Sequence, residues 1–274
     1  MQDVKSSMRP VSLNIVVCLV LVACATIYLG SALNGNQHKY SRFSSSQCSH
    51  GLLINELRAS DFCCDHMYHR SDWACVAAYD RPTQIMSSIW AWALPLMPAA
   101  LTIISDAFFG VLNRKYKAHF KRISLYLSIF IFRTVVLYVF GGLLEMSVQD
   151  PPHSDCWYSH LVHSGRCRDN FDYSDHIVLF LAHFLIPCAL ELTYVIHSTT
   201  YATPLPASAP TTWAYTASIV ASVSMIGMCL RSMLFTAMYF HTTTENTVAL
   251  KIFFVLILLP LYYTRQTSAF KSMF

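Results

Sequence analysis

Val11–Leu33 reads VSLNIVVCLVLVACATIYLGSAL, 23 consecutive residues without one Asp, Glu, Lys or Arg. A hydrocarbon core about 30 Å thick needs about 20 helical residues, so this run is long enough to cross a bilayer. It exceeds the apolar core of about 7–15 residues that a secretory signal uses, and no small-x-small cleavage pattern follows it, so it is expected to stay as a first span. A second uncharged run, Ile85–Ile104, has 20 residues. Four more carry one charge each: Ile123–Leu144 with Arg133, Ile177–Ile196 with Glu191, Trp213–Phe240 with Arg231, and Val248–Thr264 with Lys251. The sequence therefore predicts an all-α polytopic membrane protein, one six-helix bundle over residues 1–274.

Composition supports the same reading. Apolar residues make up 54% of the chain and charged residues only 12%, about half the roughly 25% charge of a typical globular protein. An ordinary water-soluble enzyme is excluded on that ground. The net charge of +4 sits in short segments beside apolar runs, where it sets orientation instead of binding nucleic acid. The link after the second run holds Asn113–Arg122, with five basic residues against one acid, Asp106, and the N-terminal ten residues add Lys5 and Arg9. These ends, and with six spans both termini, are expected to face the cytosol. Loops 34–84 and 145–176 are then lumenal. Of ten cysteines, Cys18, Cys24, Cys188 and Cys229 fall in the apolar runs, and Cys48, Cys63, Cys64, Cys75, Cys156 and Cys167 fall in those two loops. That distribution suits an oxidising side, with the pairing left open.

Ionisable groups inside a span need a partner, a wet cavity or a route to the interface. Arg133 and Glu191 have similar expected depths and are read as a structural ion pair between the third and fourth spans. His176 and His183 are seven residues apart, which places both imidazoles on one helical face. Arg231 and Lys251 are read either as snorkelling cations or as candidate phosphate contacts near the lumenal surface.

Chemistry-bearing side chains concentrate before the fourth span, in Asp150-Pro-Pro-His153, Ser154-Asp-Cys156, His160, His163 and Phe171-Asp-Tyr-Ser-Asp-His176. Imidazole, with an ordinary pKa of about 6.5, moves protons near neutral pH and attacks phosphorus when neutral. Histidines at a membrane surface suit phosphoryl chemistry on an amphiphile. A zinc site lacks the expected spacing, because neither HExxH nor a paired CxxC occurs. A serine hydrolase would need a Gly-x-Ser-x-Gly elbow, which is missing.

At these residues the chain resembles the fat storage-inducing transmembrane family of the endoplasmic reticulum, whose signature ends in Phe-Asp-x-Ser-Gly-His. Further matches stand in order: Trp90-Ala91-Trp92 with Leu94-Pro95, Lys121-Arg122-Ile123-Ser124, Thr236-Ala-Met-Tyr-Phe-His241, Glu191, and Ala269-Phe270. The resemblance implies a multi-pass protein related in motif to lipid phosphatases and involved in lipid droplet formation. Its expected partners are diacylglycerol, triacylglycerol and fatty acyl-CoA, the last hydrolysed to acyl-4'-phosphopantetheine and adenosine 3',5'-bisphosphate. Two histidines carry that activity in the family. One maps onto His176. Where the other is expected, after Glu145, this chain has Met146, and a shifted loop would bring His153 into the role. Asp175 replaces the motif glycine and is expected to repel a diphosphate unless Arg166, Arg168 or a cation offsets it.

The resulting expectation is a lumenal-facing acyl-CoA diphosphatase with His176 and His153 dividing nucleophile and general-acid roles. Asp172 fixes an imidazole tautomer, Ser174 donates to a phosphoryl oxygen and His241 supports the site. No organic cofactor is implied, and Mg²⁺ or Mn²⁺ is left open. The alternative is a non-catalytic neutral-lipid-binding protein that organises droplet emergence. A transporter built on Arg133, Glu191 and Arg231 ranks below both, because no matched pair of broken helices is visible.

Overall fold

The computed structural model describes residues 14–33, 52–53, 63–64, 81–108, 112–141, 174–201, 209–239, 241–264, 267 and 270. Among them are six helical runs long and apolar enough to cross a membrane: Asn14–Leu33, Ile89–Phe108, Lys115–Val139, Asp175–Ser198, Trp213–Met238 and Thr243–Thr264. These are the first to sixth spans, and they make the chain an all-α, multi-pass membrane protein. In the first long link Leu52–Leu53 pairs antiparallel with Cys63–Cys64. Cys18, Cys24, Cys188 and Cys229 are free thiols, and the pairing expected of the other six cysteines lies outside what is described.

One helix is central. Of the fourth span's most apolar window 94% is buried, against 44% at most for any other span, and it touches all five others. Those five form a ring in the order first, fifth, second, third, sixth and back to the first, with the seam between third and sixth the thinnest. The spans alternate in direction. At one end Asn246 Nδ2 donates to Ser31 Oγ at 2.9 Å and Arg133 reaches the carbonyl of Asp175 at 3.0 Å, joining the ends of the first and third spans to the starts of the sixth and fourth. At the other end Asp106, Lys115 and Tyr215 meet. These are called below the His176 end and the Asp106 end.

Local sequence explains the departures from regular helix. Pro95 and Pro98 lack an N–H and fix φ, and the second span accordingly opens in 3₁₀ turns, Ile89–Trp92 and Leu94–Leu96, before α-helix from Met97 to Phe108. Pro187 and Pro260 fall inside spans, where a proline ring clashes with the carbonyl four residues back. In both cases the preceding turns widen to π-helix, Phe180–Leu185 and Phe254–Leu258. A third π segment, Val135–Gly141, follows the helix Leu112–Thr134 without a proline. Around the first of these, the Cys229 thiol donates to the carbonyl of Phe180 at 3.3 Å, the kind of side-chain rescue that lets irregular backbone persist at membrane depth.

The third span begins eight residues before the expected Ile123, because the basic stretch continues the helix Leu112–Thr134. Elsewhere the spans shift by only a few residues from expectation. Where the first and fifth spans cross, a Cβ on Gly30 would lie 2.7 Å from the carbonyl oxygen of Leu234, whereas one on Gly227 would meet nothing within 4 Å. Gly30→Val is therefore expected to destabilise the bundle by about 1–3 kcal/mol through overpacking. Gly227→Ala should be neutral or raise stability by up to about 1 kcal/mol through helix propensity. Thermal unfolding of the purified variants in detergent checks both.

Candidate functional site

The His176 end is built at the start of the fourth span. Ser174 caps the helix Asp175–Leu179, its hydroxyl accepting from the Ile177 N–H at 3.4 Å. Ser174 is fully buried, so what the structure shows for it is a role at the helix start. His176 Nδ1 lies 3.0 Å from Asp175 Oδ1, and the two side chains are 45% and 40% exposed. With Nδ1–H donating to the carboxylate, the lone pair of the neutral ring sits on Nε2. Asp175, expected to be a repulsive departure, thus holds the imidazole tautomer, the task expected of Asp172. Arg133, 4% exposed, donates from Nη2 to the Asp175 carbonyl and places its guanidinium over Tyr138 at 5.2 Å.

His241 joins this end from the opposite side. It precedes the helix Thr243–Phe253, which packs on Asp175–Leu179, and its imidazole is within electrostatic reach of the Asp175 carboxylate. It is 8% exposed, with Nδ1 3.8 Å from Glu245. Glu245 closes a capping box with Thr242, which fixes the turn that carries His241. His153, Asp172, Arg166 and Arg168 lie outside the described residues.

Several expectations are corrected. Arg133 and Glu191 do not pair. Arg133 meets the Asp175 carbonyl at the start of the fourth span. Glu191 is 16 residues past Asp175, about 24 Å deeper. His176 and His183 do not act as one face, because the π segment Phe180–Leu185 rotates the register between them. His183 is a packed core residue: its ring stacks on Phe130 at 4.2 Å, meets Trp92 edge-on at 5.5 Å, and Nδ1–H donates to the Ala91 carbonyl at 3.2 Å. Arg231 and Lys251 lie exposed on the outer flank of the bundle, Arg231 over the ring of Phe235 at 4.7 Å. Their place favours snorkelling over a phosphate held at the His176 end.

The Asp106 end holds a second polar cluster that the sequence reading missed. His119 Nε2 is 2.9 Å from Asp106 Oδ2, and its Nδ1 is 2.7 Å from Arg122 Nη2. Lys115 bridges Asp106 at 3.1 Å and the Tyr215 hydroxyl at 3.0 Å. Arg122 Nη1 faces Glu191 Oε2 at 3.5 Å, an ion pair without hydrogen-bond alignment, and the guanidinium stacks on Tyr194 at 3.5 Å. Tyr126 donates to Glu191 Oε1 at 2.6 Å. The signal was present in the spacing Lys115, His119, Arg122, Tyr126, steps of four, three and four that line one helical face.

Chemistry separates the two clusters. An arginine only donates, so His119 must accept at Nδ1 and carry its proton on Nε2. Both ring nitrogens are committed, and the side chains of Asp106, His119, Arg122 and Glu191 are at most 3% exposed. That cluster is a clamp between spans. At the His176 end the ring is accessible and can meet a substrate. Among the described residues no three His, Cys, Asp or Glu side chains converge to hold a metal ion. Comparisons of the chain with protein-family models, curated proteins and solved structures find no match.

Removing one partner from a buried ion pair leaves an uncompensated charge, so Arg122→Ala is expected to cost about 3–5 kcal/mol of stability. Combining Arg122→Met with Glu191→Leu should recover most of that loss. Unfolding midpoints of single and double variants give the coupling directly.

Proposed function

We propose that the chain is a fatty acyl-CoA diphosphatase of the endoplasmic reticulum membrane, with the His176 end facing the lumen and supporting lipid droplet formation. The observation that carries the reading is the accessible His176 ring, its Nδ1 held by Asp175 at 3.0 Å, in a segment that resembles the fat storage-inducing transmembrane signature. An imidazole with a carboxylate on one nitrogen presents the other as nucleophile. In this reading His176 Nε2 forms a bond to one phosphorus of the diphosphate while the bridging P–O bond breaks. The departing phosphate oxygen takes a proton from His241. Water then displaces His176 from phosphorus, losing its proton to His241, so that both imidazoles return to their starting state. Glu245, whose carboxylate lies 3.8 Å from His241 Nδ1, orients that ring. His241 is assigned the second role here because it stands just before the helix packed against the one that bears His176, and His153, outside the described residues, is the alternative for the same role.

A second reading, binding of diacylglycerol and triacylglycerol without catalysis, is favoured by a groove of about 330 Å³ between the first and sixth spans. It is lined by Val16, Val17, Phe254, Val255, Leu258 and Tyr262 among others, and its surface is almost wholly apolar. An uncharged acyl chain fits such a surface.

Release of adenosine 3',5'-bisphosphate from acyl-CoA by the purified chain, with and without Mg²⁺ or Mn²⁺, tests the first reading. His176→Ala and His241→Ala are each expected to lower that rate by about 10²–10⁴, the range for a positioned acid, base or nucleophile. Wild-type protein without release, or His176→Ala with an unchanged rate, rejects catalysis. Triacylglycerol binding that survives His176→Ala would then support the second reading.

A further inference from the structure

His241 stands in the short link, residues 240–242, between the helices Ala209–Tyr239 and Thr243–Phe253. The aim of its ring depends on how that link is held. One hold is internal, the capping box between Thr242 and Glu245. The other comes from outside the link. Asn246 is fully buried, and its Nδ2 donates to Ser31 Oγ at 2.9 Å while facing the His241 carbonyl at 3.5 Å. A side-chain amide nitrogen has two N–H donors, so both contacts form together. The backbone N–H of Asn246 closes on the Thr242 carbonyl at 3.0 Å, which keeps the side chain in register with the link.

Ser31 is itself buried and fixed by the packing of the first span. Its neighbour Gly30 lies so close to the fifth span that a Cβ there would be 2.7 Å from the Leu234 carbonyl oxygen and 3.3 Å from the Met238 nitrogen. The hydroxyls of Tyr28 and Thr247 meet at 3.4 Å. One turn of the first span, residues 28–31, therefore touches the helix before the link and the helix after it. Asn246 Oδ1 has no hydrogen-bond partner among the described residues, and a buried acceptor left without a donor lowers stability. An apolar side chain of similar shape would avoid that loss but could not join Ser31 to the His241 carbonyl. We propose that Asn246, anchored through Ser31, is a positioning residue for His241, so that the first span sets where the second imidazole of the site stands. The inference rests on reading His241 as the proton donor of the diphosphatase, and it deepens that reading by tying the aim of the donor to a side chain buried away from substrate.

The test uses the full chain in phosphatidylcholine nanodiscs, with Ser31→Ala and Asn246→Leu each made alone and in a His241→Ala background. Release of adenosine 3',5'-bisphosphate should fall about 10- to 100-fold in each single variant, the cost of a catalytic group displaced by about 1 Å, and in kcat with KM unchanged. In the His241→Ala background neither substitution should lower the remaining rate further, because the effect passes through the ring already removed. Losses of similar size in both backgrounds overturn the proposal, as does an unchanged rate in both single variants or in His241→Ala itself. A second measurement needs no turnover. Carbethoxylation of His241 by diethyl pyrocarbonate, followed by mass spectrometry, should speed up severalfold in Ser31→Ala and Asn246→Leu, while that of His176 stays as in the wild type. Ser218→Ala removes another buried hydrogen bond between spans, to the Pro98 carbonyl at 3.0 Å, and should change neither. Equal acceleration at His176 and His241, or none at His241, overturns the proposal. Wild-type protein without release but with the selective change at His241 rejects the diphosphatase reading and leaves this inference standing, while release without that selective change does the reverse.

Discussion

Enclosure of the fourth span by five other helices is the constraint from which the rest of the bundle follows. A helix with 94% of its central window buried has neither lipid headgroups nor bulk water to solvate its polar atoms, so each must be answered by a neighbouring span. Glu191 makes the largest demand. Arg122 and Tyr126 meet it from the third span, and this fixes which face of the third span turns inward. Once Arg122 is inside, its remaining donor fixes the tautomer of His119, which in turn engages Asp106 on the second span. Lys115 and Tyr215 extend the chain of contacts to the fifth span. One buried carboxylate thereby sets the rotation and depth of four helices.

The two ends of the bundle use similar residues for opposite purposes. Each has an aspartate, a histidine and an arginine carried by the third span: Asp106, His119 and Arg122 at one end, Asp175, His176 and Arg133 at the other. At the Asp106 end the arginine occupies the second imidazole nitrogen and the cluster is closed to solvent. At the His176 end the arginine binds a backbone carbonyl, leaving the ring 45% exposed. Proton or phosphoryl transfer needs access to an imidazole nitrogen, so composition alone does not distinguish a clamp from a reactive site. The decisive difference is what the guanidinium touches.

The span count was legible because charge-free runs of about 20 residues have few other uses. His176 was legible as a candidate because it stands in a polar segment entering an apolar run. The pairing of Glu191 was not, because depth was reckoned from helix ends that the sequence leaves uncertain, and each residue of misplacement moves a side chain by about 1.5 Å along the axis. The stretch from Asn113 to Arg122 was read as an exposed basic link by counting charges. Helical spacing separates its residues, sending Lys115, His119 and Arg122 inward while Lys117 and Phe120 stay exposed. The contact of Asp175 with the adjacent imidazole was not legible either, because its electrostatics were reckoned only against a substrate.

Prolines connect this architecture to the surface that the bundle turns toward lipid. Pro187 and Pro260 each displace the carbonyl four residues back, those of His183 and Leu256, and both of these lie within the π segments that precede them. In the fully enclosed fourth span the strain is absorbed by neighbouring groups such as the Cys229 thiol. The sixth span has helices on its inner side and lipid on its outer side, and there the same widened turns border an apolar groove against the first span, with Phe254, Val255 and Leu258 in its wall. The same proline effect is thus filled by packed side chains in the enclosed helix and left as an open apolar surface in the peripheral one, so the position of a span in the bundle decides what its irregular turns become.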